Sequence, residues 1–148
     1  LRILLPQAKA VNPHWIFMGG DSWFIPSFMG LPEAQGGYFT ATYAPQWEGA
    51  ANAEFREAYH RRYSTMPNAN AALTYDALGL LFAAVQKAGS LQGEALREAL
   101  AGMRDYPGVT GSIAFAEGSG DPVKSAIVMR IHKGQAAFHS LLSPEETP

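Results

Sequence analysis

Residues 15–23, with the sequence WIFMGGDSW, decide the fold class of this chain. Four bulky apolar residues end at a glycine pair, and the pair leads to Asp21. Such a run is typical of a buried parallel strand, because both faces of that strand are covered. In open α/β sheets ligands bind outside the carboxyl ends of the strands, so Asp21, with Trp23 close to it, lies where a small cationic or zwitterionic ligand is held. Gly, Asp and Ser are also common in ordinary turns, and this segment taken alone favours a turn over a binding site.

The composition excludes several kinds of function. The chain has 148 residues, of which 47% are hydrophobic, and this is enough for the core of one ordinary domain. Its formal net charge is -2 and its 11 lysines and arginines are scattered, which argues against a nucleic-acid partner. Because there is no cysteine, disulfides, thiol nucleophiles and thiolate metal sites are excluded. The 4 histidines lack the spacing of a metal site, and we expect neither a metal nor a cofactor.

The hydropathy and the start of the chain add two expectations. No stretch approaches the roughly 18–20 apolar residues that span a bilayer. The chain starts on Leu1, without a methionine and without the basic region of a signal peptide, and its first eleven residues look partly helical. We therefore expect that a part of the protein upstream of this chain is missing.

Apolar periodicity predicts helices in the middle of the chain and strands on either side of them. Asn52 is predicted to cap a helix that carries Phe55, Tyr59 and Tyr63 at a spacing of four and ends before Pro67. The other predicted elements are strands over 38–43 and 111–115, helices over 71–88 (capped by Gly89) and 93–103, a turn over 118–122, a hairpin of 126–131 and 136–138 around Gly134, and a polar tail over 143–148.

The middle block lacks a sheet of its own. The helices between Asn52 and Met103 have apolar faces, whereas the predicted strands lie before and after them. Asp76, near the start of the longest helix, is interpreted as a structural complement to the helix dipole. Either these helices cover a small sheet formed by the flanking strands, or they belong to a lobe whose strands are not in this chain.

The order of these motifs resembles the C-terminal portion of the periplasmic branched-chain amino-acid binding proteins, the solute receptors of ABC importers with the type I periplasmic binding protein fold. No single motif is diagnostic, but together they stand in the family's order and spacing over nearly the whole chain. They are GGDSW (19–23), GYFT (37–40), YAP (43–45), the 55/59/63 helix with Pro67, YDA (75–77), KAGS (87–90), the helix over 94–100, GVTG (108–111) and GDPVK (120–124).

The resemblance implies an α/β fold of two Rossmann-like (flavodoxin-like) lobes joined by three crossover strands. This chain is then an incomplete C-terminal fragment of that fold. Residues 1–46 and 107–148 are predicted to be parts of the second, C-terminal lobe, and residues 47–106 to be helices of the first, N-terminal lobe. The strands that helices 52–103 should cover then belong to the missing N-terminal part or to a second chain, which explains the absent sheet.

The resemblance also implies where a ligand binds. Asp21 matches the second-lobe carboxylate that accepts the ligand's α-ammonium group, where some relatives carry the longer Glu. A carboxylate bound to an ammonium group in a desolvated cleft forms a charge-assisted hydrogen bond. Ser22, Trp23 and Phe24 are the further predicted ligand-binding residues, and the two aromatic rings either close over an apolar or aromatic ligand side chain or pack under the rim of the cleft. No catalytic residue and no metal ligand is predicted.

The implied function is that of an extracytoplasmic solute-binding protein of an ABC importer, periplasmic or at the cell surface. It binds an amino acid or a related small molecule between two hinged lobes and delivers it to a membrane permease. The alternative is a ligand-sensing regulatory domain of the same fold, which a DNA-binding or transmembrane segment elsewhere in the gene would favour. An enzyme is not expected, because the sequence shows no nucleophile, metal set or acid–base pair. The first-lobe residues that hold the ligand's carboxylate are not in this chain, so the ligand is left open.

Overall fold

The computed structural model describes residues 2–116 and 118–143, in two compact units. Of these residues, the first unit contains 2–42 and 126–142, and the second contains 43–116, 118–125 and 143. In chain order the elements are α1 (Leu4–Val11), β1 (Met18–Gly19), α2 (Pro26–Met29), β2 (Tyr38–Ala41), α3 (Ala50–Tyr63), α4 (Ala69–Ala88), α5 (Gly93–Ala101), β3 (Tyr106–Gly108), β4 (Gly111–Phe115), β5 (Pro122–Lys124), β6 (Ala126–His132) and β7 (Gln135–Leu142), with 3-10 helices at Asp21–Trp23 and Pro32–Ala34. Within the described ranges, every helix is too short or too polar to cross a membrane. The predicted polar tail lies outside the described residues except for its first residue.

The first unit is built on a four-stranded sheet with the strand order β1-β2-β6-β7. β1 pairs with β2 in parallel, and the two other pairs are antiparallel. Side chains alternate between the two faces of a strand, so Phe39 of β2 and Met129 of β6, which are paired in register, share one face. That face contributes to the core of the unit. The buried apolar residues of the unit are Leu5, Trp23, Phe28, Met29, Ala34, Phe39, Ile127, Met129 and Ile131.

The strand predicted from the apolar run at residues 15–18 is only partly present. Its pairing is parallel, as predicted, but β1 has two residues only. Trp15, Ile16 and Met18 are 46%, 65% and 77% exposed, so the prediction that both faces of this strand are covered is wrong. The described residues around β1 leave these side chains uncovered, and β1 is also the edge strand, which pairs on one side only among the described residues.

The second unit combines α3, α4 and α5 with a three-stranded antiparallel sheet in the order β3-β4-β5. Its core contains Tyr43, Phe55, Ala72 and Val109. The strand predicted over 111–115 is confirmed as β4. β3 and β5 were not predicted, because each has three residues and contains a proline, which leaves no alternating pattern to detect.

The boundaries between the units lie at 42/43 and 125/126. They differ from the predicted lobe boundaries at 46/47 and 106/107, because β3 contacts both α3 and α4 and its sheet therefore belongs to the helical unit. The assignment of these segments to the first and second lobes of a complete protein stays a prediction.

The predicted C-terminal end of α4 is confirmed, whereas its start differs from the prediction. The helix begins two residues before the predicted start, and the Asn68 side chain caps it by accepting a hydrogen bond from the Ala71 amide at 2.9 Å. Gly89 ends it in the left-handed conformation, with φ of 59°. The predicted terminal hairpin is confirmed as well, since Lys133 and Gly134 form a two-residue loop between β6 and β7 with φ of 50° and 76°.

The predicted role of Asn52 as a helix cap is wrong. α3 begins at Ala50, which places Asn52 inside the first turn, and its side chain is fully buried. The Asn52 side chain accepts a hydrogen bond from the Tyr43 hydroxyl at 2.8 Å and donates to the Trp47 carbonyl at 2.6 Å and the Pro45 carbonyl at 3.3 Å. It therefore fastens the segment 43–47 to α3. The predicted aromatic stripe of α3 is confirmed, with ring centroids 5.8 Å apart for Phe55 and Tyr59.

Candidate functional site

The Gly-Gly-Asp-Ser segment forms a turn directly beyond the carboxyl end of β1. A 3-10 helix over Asp21–Trp23 starts after Gly20, and the Trp23 amide donates to the Gly20 carbonyl at 3.1 Å. The Phe24 amide donates to the Asp21 carbonyl at 3.0 Å and closes the next turn. The interpretation of the segment as a turn is therefore confirmed, whereas the interpretation as a binding site at a strand end stays a prediction.

Asp21 and Ser22 are the exposed polar residues of this turn. Within residues 2–116 and 118–143, the Asp21 carboxylate takes part in no ion pair and accepts no side-chain hydrogen bond. An ionised carboxylate is an acceptor at both oxygens. Asp21 is thus available to accept hydrogen bonds from a cationic group.

The two aromatic residues of the predicted site lie in different surroundings. The Trp23 side chain is 8% exposed, and its ring centroid lies 4.6 Å from that of Phe28. The Phe24 ring is 49% exposed and packs at 5.9 Å on the ring of Phe39, which is buried. Phe24 therefore offers an accessible apolar surface three residues after Asp21, whereas Trp23 does not.

A buried polar cluster in the second unit was not predicted. Asp76 is 2% exposed and accepts hydrogen bonds from the amides of Val109 at 2.7 Å and Thr110 at 2.9 Å. Lys124 donates to the Thr110 hydroxyl, and burial lowers the pKa of the Lys124 ammonium while the Asp76 charge opposes that shift. The interpretation of Asp76 as a complement to the helix dipole is wrong, because it lies in the second turn of α4 and its carboxylate is bound by the β3–β4 turn.

No local sequence signal reveals this cluster, since its partners are 33 and 34 residues away from Asp76. The burial of Trp23 has a weak signal in the glycine four residues before it, which leaves room for a large ring. Across the described residues, no three His, Cys, Asp or Glu side chains are close enough together to hold a metal ion.

Comparison with known proteins identifies the family of the chain. The model of a family described as periplasmic binding protein matches residues 4–136. The chain belongs to the periplasmic binding protein family. No curated protein sequence matches it significantly.

Solved structures of similar proteins share its fold. A leucine-binding protein from Thermotoga maritima is 28% identical, with a TM-score of 0.78 over 98% of this chain and 42% of that one. An ABC transporter substrate-binding protein from Desulfitobacterium hafniense, solved in complex with Leu, is 27% identical, with a TM-score of 0.75 over 93% of this chain and 39% of that one. An ABC-type branched-chain amino acid transporter protein from Rhodopseudomonas palustris is 19% identical, with a TM-score of 0.80 over 98% of this chain and 41% of that one, and shows the fold alone.

The predicted resemblance and the predicted fold class are confirmed by these matches. The chain is an α/β fragment of a type I periplasmic binding protein and spans about two fifths of the length of the similar structures. That Asp21, Ser22, Trp23 and Phe24 bind a ligand stays a prediction.

Proposed function

We propose that the complete protein is an extracytoplasmic solute-binding protein of an ABC importer, which binds an amino acid or a related small molecule between two hinged lobes and delivers it to a membrane permease. Membership of the periplasmic binding protein family supports the binding role. Two similar proteins support the ligand class, since one is a leucine-binding protein and another was solved with Leu. No catalytic step is part of the proposal.

The observation that carries the proposal is the position of Asp21. Its carboxylate is exposed on the turn at the carboxyl end of β1, and it is not neutralised by a cation among the described residues. A ligand α-ammonium group would supply the missing counter-charge and donate hydrogen bonds. Ser22 is an additional donor and acceptor on the same turn, and the exposed Phe24 ring provides apolar area for a ligand side chain.

The proposal also assigns the segments of this chain to the two lobes of the complete protein. We place the unit of residues 1–42 and 126–142 in the second lobe and the unit of residues 43–125, with its helices and the β3–β5 sheet, in the first. α4 carries an apolar stripe formed by Tyr75, Leu78 and Phe82, which are 55%, 50% and 64% exposed. These residues are three or four positions apart and share one helix face, as in helices that cover a sheet.

The missing N-terminal part, or a second chain, is proposed to cover this stripe. We expect the 148-residue chain made alone to associate or aggregate, because an uncovered apolar face is an association surface. Gel filtration of this chain and of a variant with Leu78→Glu and Phe82→Glu checks the expectation. A monodisperse parent chain that melts cooperatively would count against it.

The binding role is tested by thermal unfolding of the full-length protein with a panel of amino acids and small carboxylates. A ligand that binds the native state alone raises the melting temperature by mass action. Asp21→Ala should abolish the shift, whereas Asp121→Ala, at an exposed carboxylate in the β4–β5 turn, should keep it. A panel without any shift on a folded protein would overturn the proposed ligand class and favour the ligand-sensing alternative or another type of solute.

A further inference from the structure

Gly19 and Trp23 are packed against each other inside the first unit. A methyl group added to Gly19 would lie 2.5 Å from Cζ2 of the Trp23 indole, and closer still to Cε2 and Cδ2. These separations are far inside van der Waals contact, so the indole fills the space that any larger residue at position 19 would need. The ring centroid also lies 4.6 Å from that of Phe28, a residue that is 4% exposed.

This packing ties the two ends of the candidate site together. Gly19 is the last residue of β1, and Trp23 is the last residue of the 3-10 helix that begins with Asp21. The Trp23 carbonyl also accepts a hydrogen bond from the Ile25 amide at 2.7 Å, which fixes the backbone after the ring. The turn is therefore held against its own strand by one buried side chain, while Asp21 and Ser22 remain exposed.

We propose that Trp23 is a positioning residue for ligand binding, and that Gly19 is its matched partner. The indole holds the backbone of Asp21 in the place from which the carboxylate meets the ligand's ammonium group, and it does not itself touch the ligand. The inference rests on the proposed function, because it takes Asp21 to be the ammonium contact. In this proposal Gly19 is required because the Trp23 ring occupies the space of a side chain at position 19, and not because the turn needs a glycine.

A positioning role and a ligand contact predict different patterns of affinity. A ring that touches the ligand loses contact area when it is truncated, so its loss costs more for large side chains than for small ones. A ring that positions Asp21 affects binding of the α-ammonium group, which all amino acids share. Its loss should therefore raise the dissociation constants of alanine, valine, leucine and phenylalanine by the same factor. Misplacing a charge-assisted hydrogen bond is expected to weaken binding by roughly tenfold or more.

The experiment measures the dissociation constants of these four amino acids by calorimetry, with the full-length protein and with Trp23→Leu, Gly19→Ala and the double variant. We expect Trp23→Leu to weaken every ligand that the wild type binds by a similar factor, roughly tenfold. Gly19→Ala should weaken binding in the wild-type background and have little effect in the Trp23→Leu background, because the ring that it displaces is gone. Trp15→Leu, at an exposed tryptophan of the same unit, is the matched control and should change nothing.

Trp23→Phe keeps a ring on Gly19 and should retain most of the affinity, which guards against a Trp23→Leu variant that fails to fold. A loss that grows with ligand size would overturn the positioning role and make Trp23 a ligand contact. Additive effects of the two substitutions would overturn the pairing of Gly19 with Trp23. Binding unchanged in all variants would overturn it as well. A wild type that binds none of the four amino acids would overturn the proposed amino-acid function itself, a result distinct from either of these.

Discussion

Asp76 of α4 and Thr110 of the β3–β4 turn are joined by two hydrogen bonds. The Thr110 amide donates to Oδ2 of Asp76 at 2.9 Å and the Thr110 hydroxyl donates to the same oxygen at 2.5 Å, while Oδ1 accepts from the Val109 amide at 2.7 Å. Val109 and Thr110 are the two residues between β3 and β4, so one carboxylate binds both amides of this turn. The helix and the hairpin of the second unit are thereby fixed to each other by side chains that are almost fully buried, since Asp76 is 2% and Thr110 0% exposed.

Asp76→Asn should destabilise the full-length protein. The amide keeps the shape of the carboxylate but loses its charge and one acceptor, so at least one buried donor of the turn is left unpaired. We expect the free energy of unfolding to fall by about 2–4 kcal/mol in urea titrations. The control is Asp121→Asn, at an exposed carboxylate, which should lower the free energy of unfolding by less than about 0.5 kcal/mol. Equal effects of the two substitutions would show that the Asp76 network contributes nothing.

Asn52→Ala should also be costly, although the residue carries no charge. Its removal leaves the buried Tyr43 hydroxyl and the partly buried Trp47 carbonyl without their partner. We expect a loss of about 2–4 kcal/mol in unfolding free energy, against less than about 0.5 kcal/mol for Asn70→Ala on an exposed surface. A small loss at Asn52 would mean that water enters and replaces the hydrogen bonds.

Alkaline pH should destabilise the protein through Tyr43. Burial raises the pKa of the Tyr43 phenol from 10.0 to about 12, with Arg56 lowering it and Asp76 raising it by smaller amounts. A raised folded-state pKa contributes stability that is complete below the ordinary pKa of 10.0 and is lost as pH rises toward about 12. Across that window the contribution lost amounts to about 2–3 kcal/mol.

Tyr43→Phe removes this titration. Its unfolding free energy should be lower than that of the wild type at neutral pH, because the hydrogen bond to Asn52 is lost, but should fall less steeply between pH 10.0 and about 12. The lowered pKa of Lys124 and the raised pKa of Tyr106 are shared by both proteins and cancel in the comparison. Urea titrations at several alkaline pH values measure the two slopes, and parallel slopes would contradict the prediction.

The parts of the fold that were predictable depend on neighbours in sequence. Asn68 and Gly89 bound α4 through contacts within a few residues, and Gly134 supplies the positive φ that a two-residue hairpin loop requires. The family resemblance was predictable for another reason, since it is carried by the order of many weak motifs along the chain rather than by any one contact.

The parts that were missed depend on contacts between distant residues. Asp76 looks like an ordinary helix residue until the β3–β4 turn is placed on it, and Asn52 has the composition of a cap until its carbonyl partners are known. Met18 continues an apolar run, yet it is exposed because the other described residues do not cover its side of β1. Whether Trp23 is a core residue or a ligand contact could not be predicted, because the answer depends on Gly19 and Phe28, which pack against its ring.

The central claim, that Asp21 binds a ligand's ammonium group, is tested most directly by a thermodynamic cycle. The dissociation constants of leucine and of 4-methylpentanoate, which lacks the ammonium group, are measured by calorimetry with the full-length protein and with Asp21→Asn. We predict that the substitution weakens leucine by roughly 10–100-fold and leaves the weak binding of the deaminated acid nearly unchanged. Equal changes for both ligands, or none for leucine, would contradict the account and place the ammonium contact elsewhere.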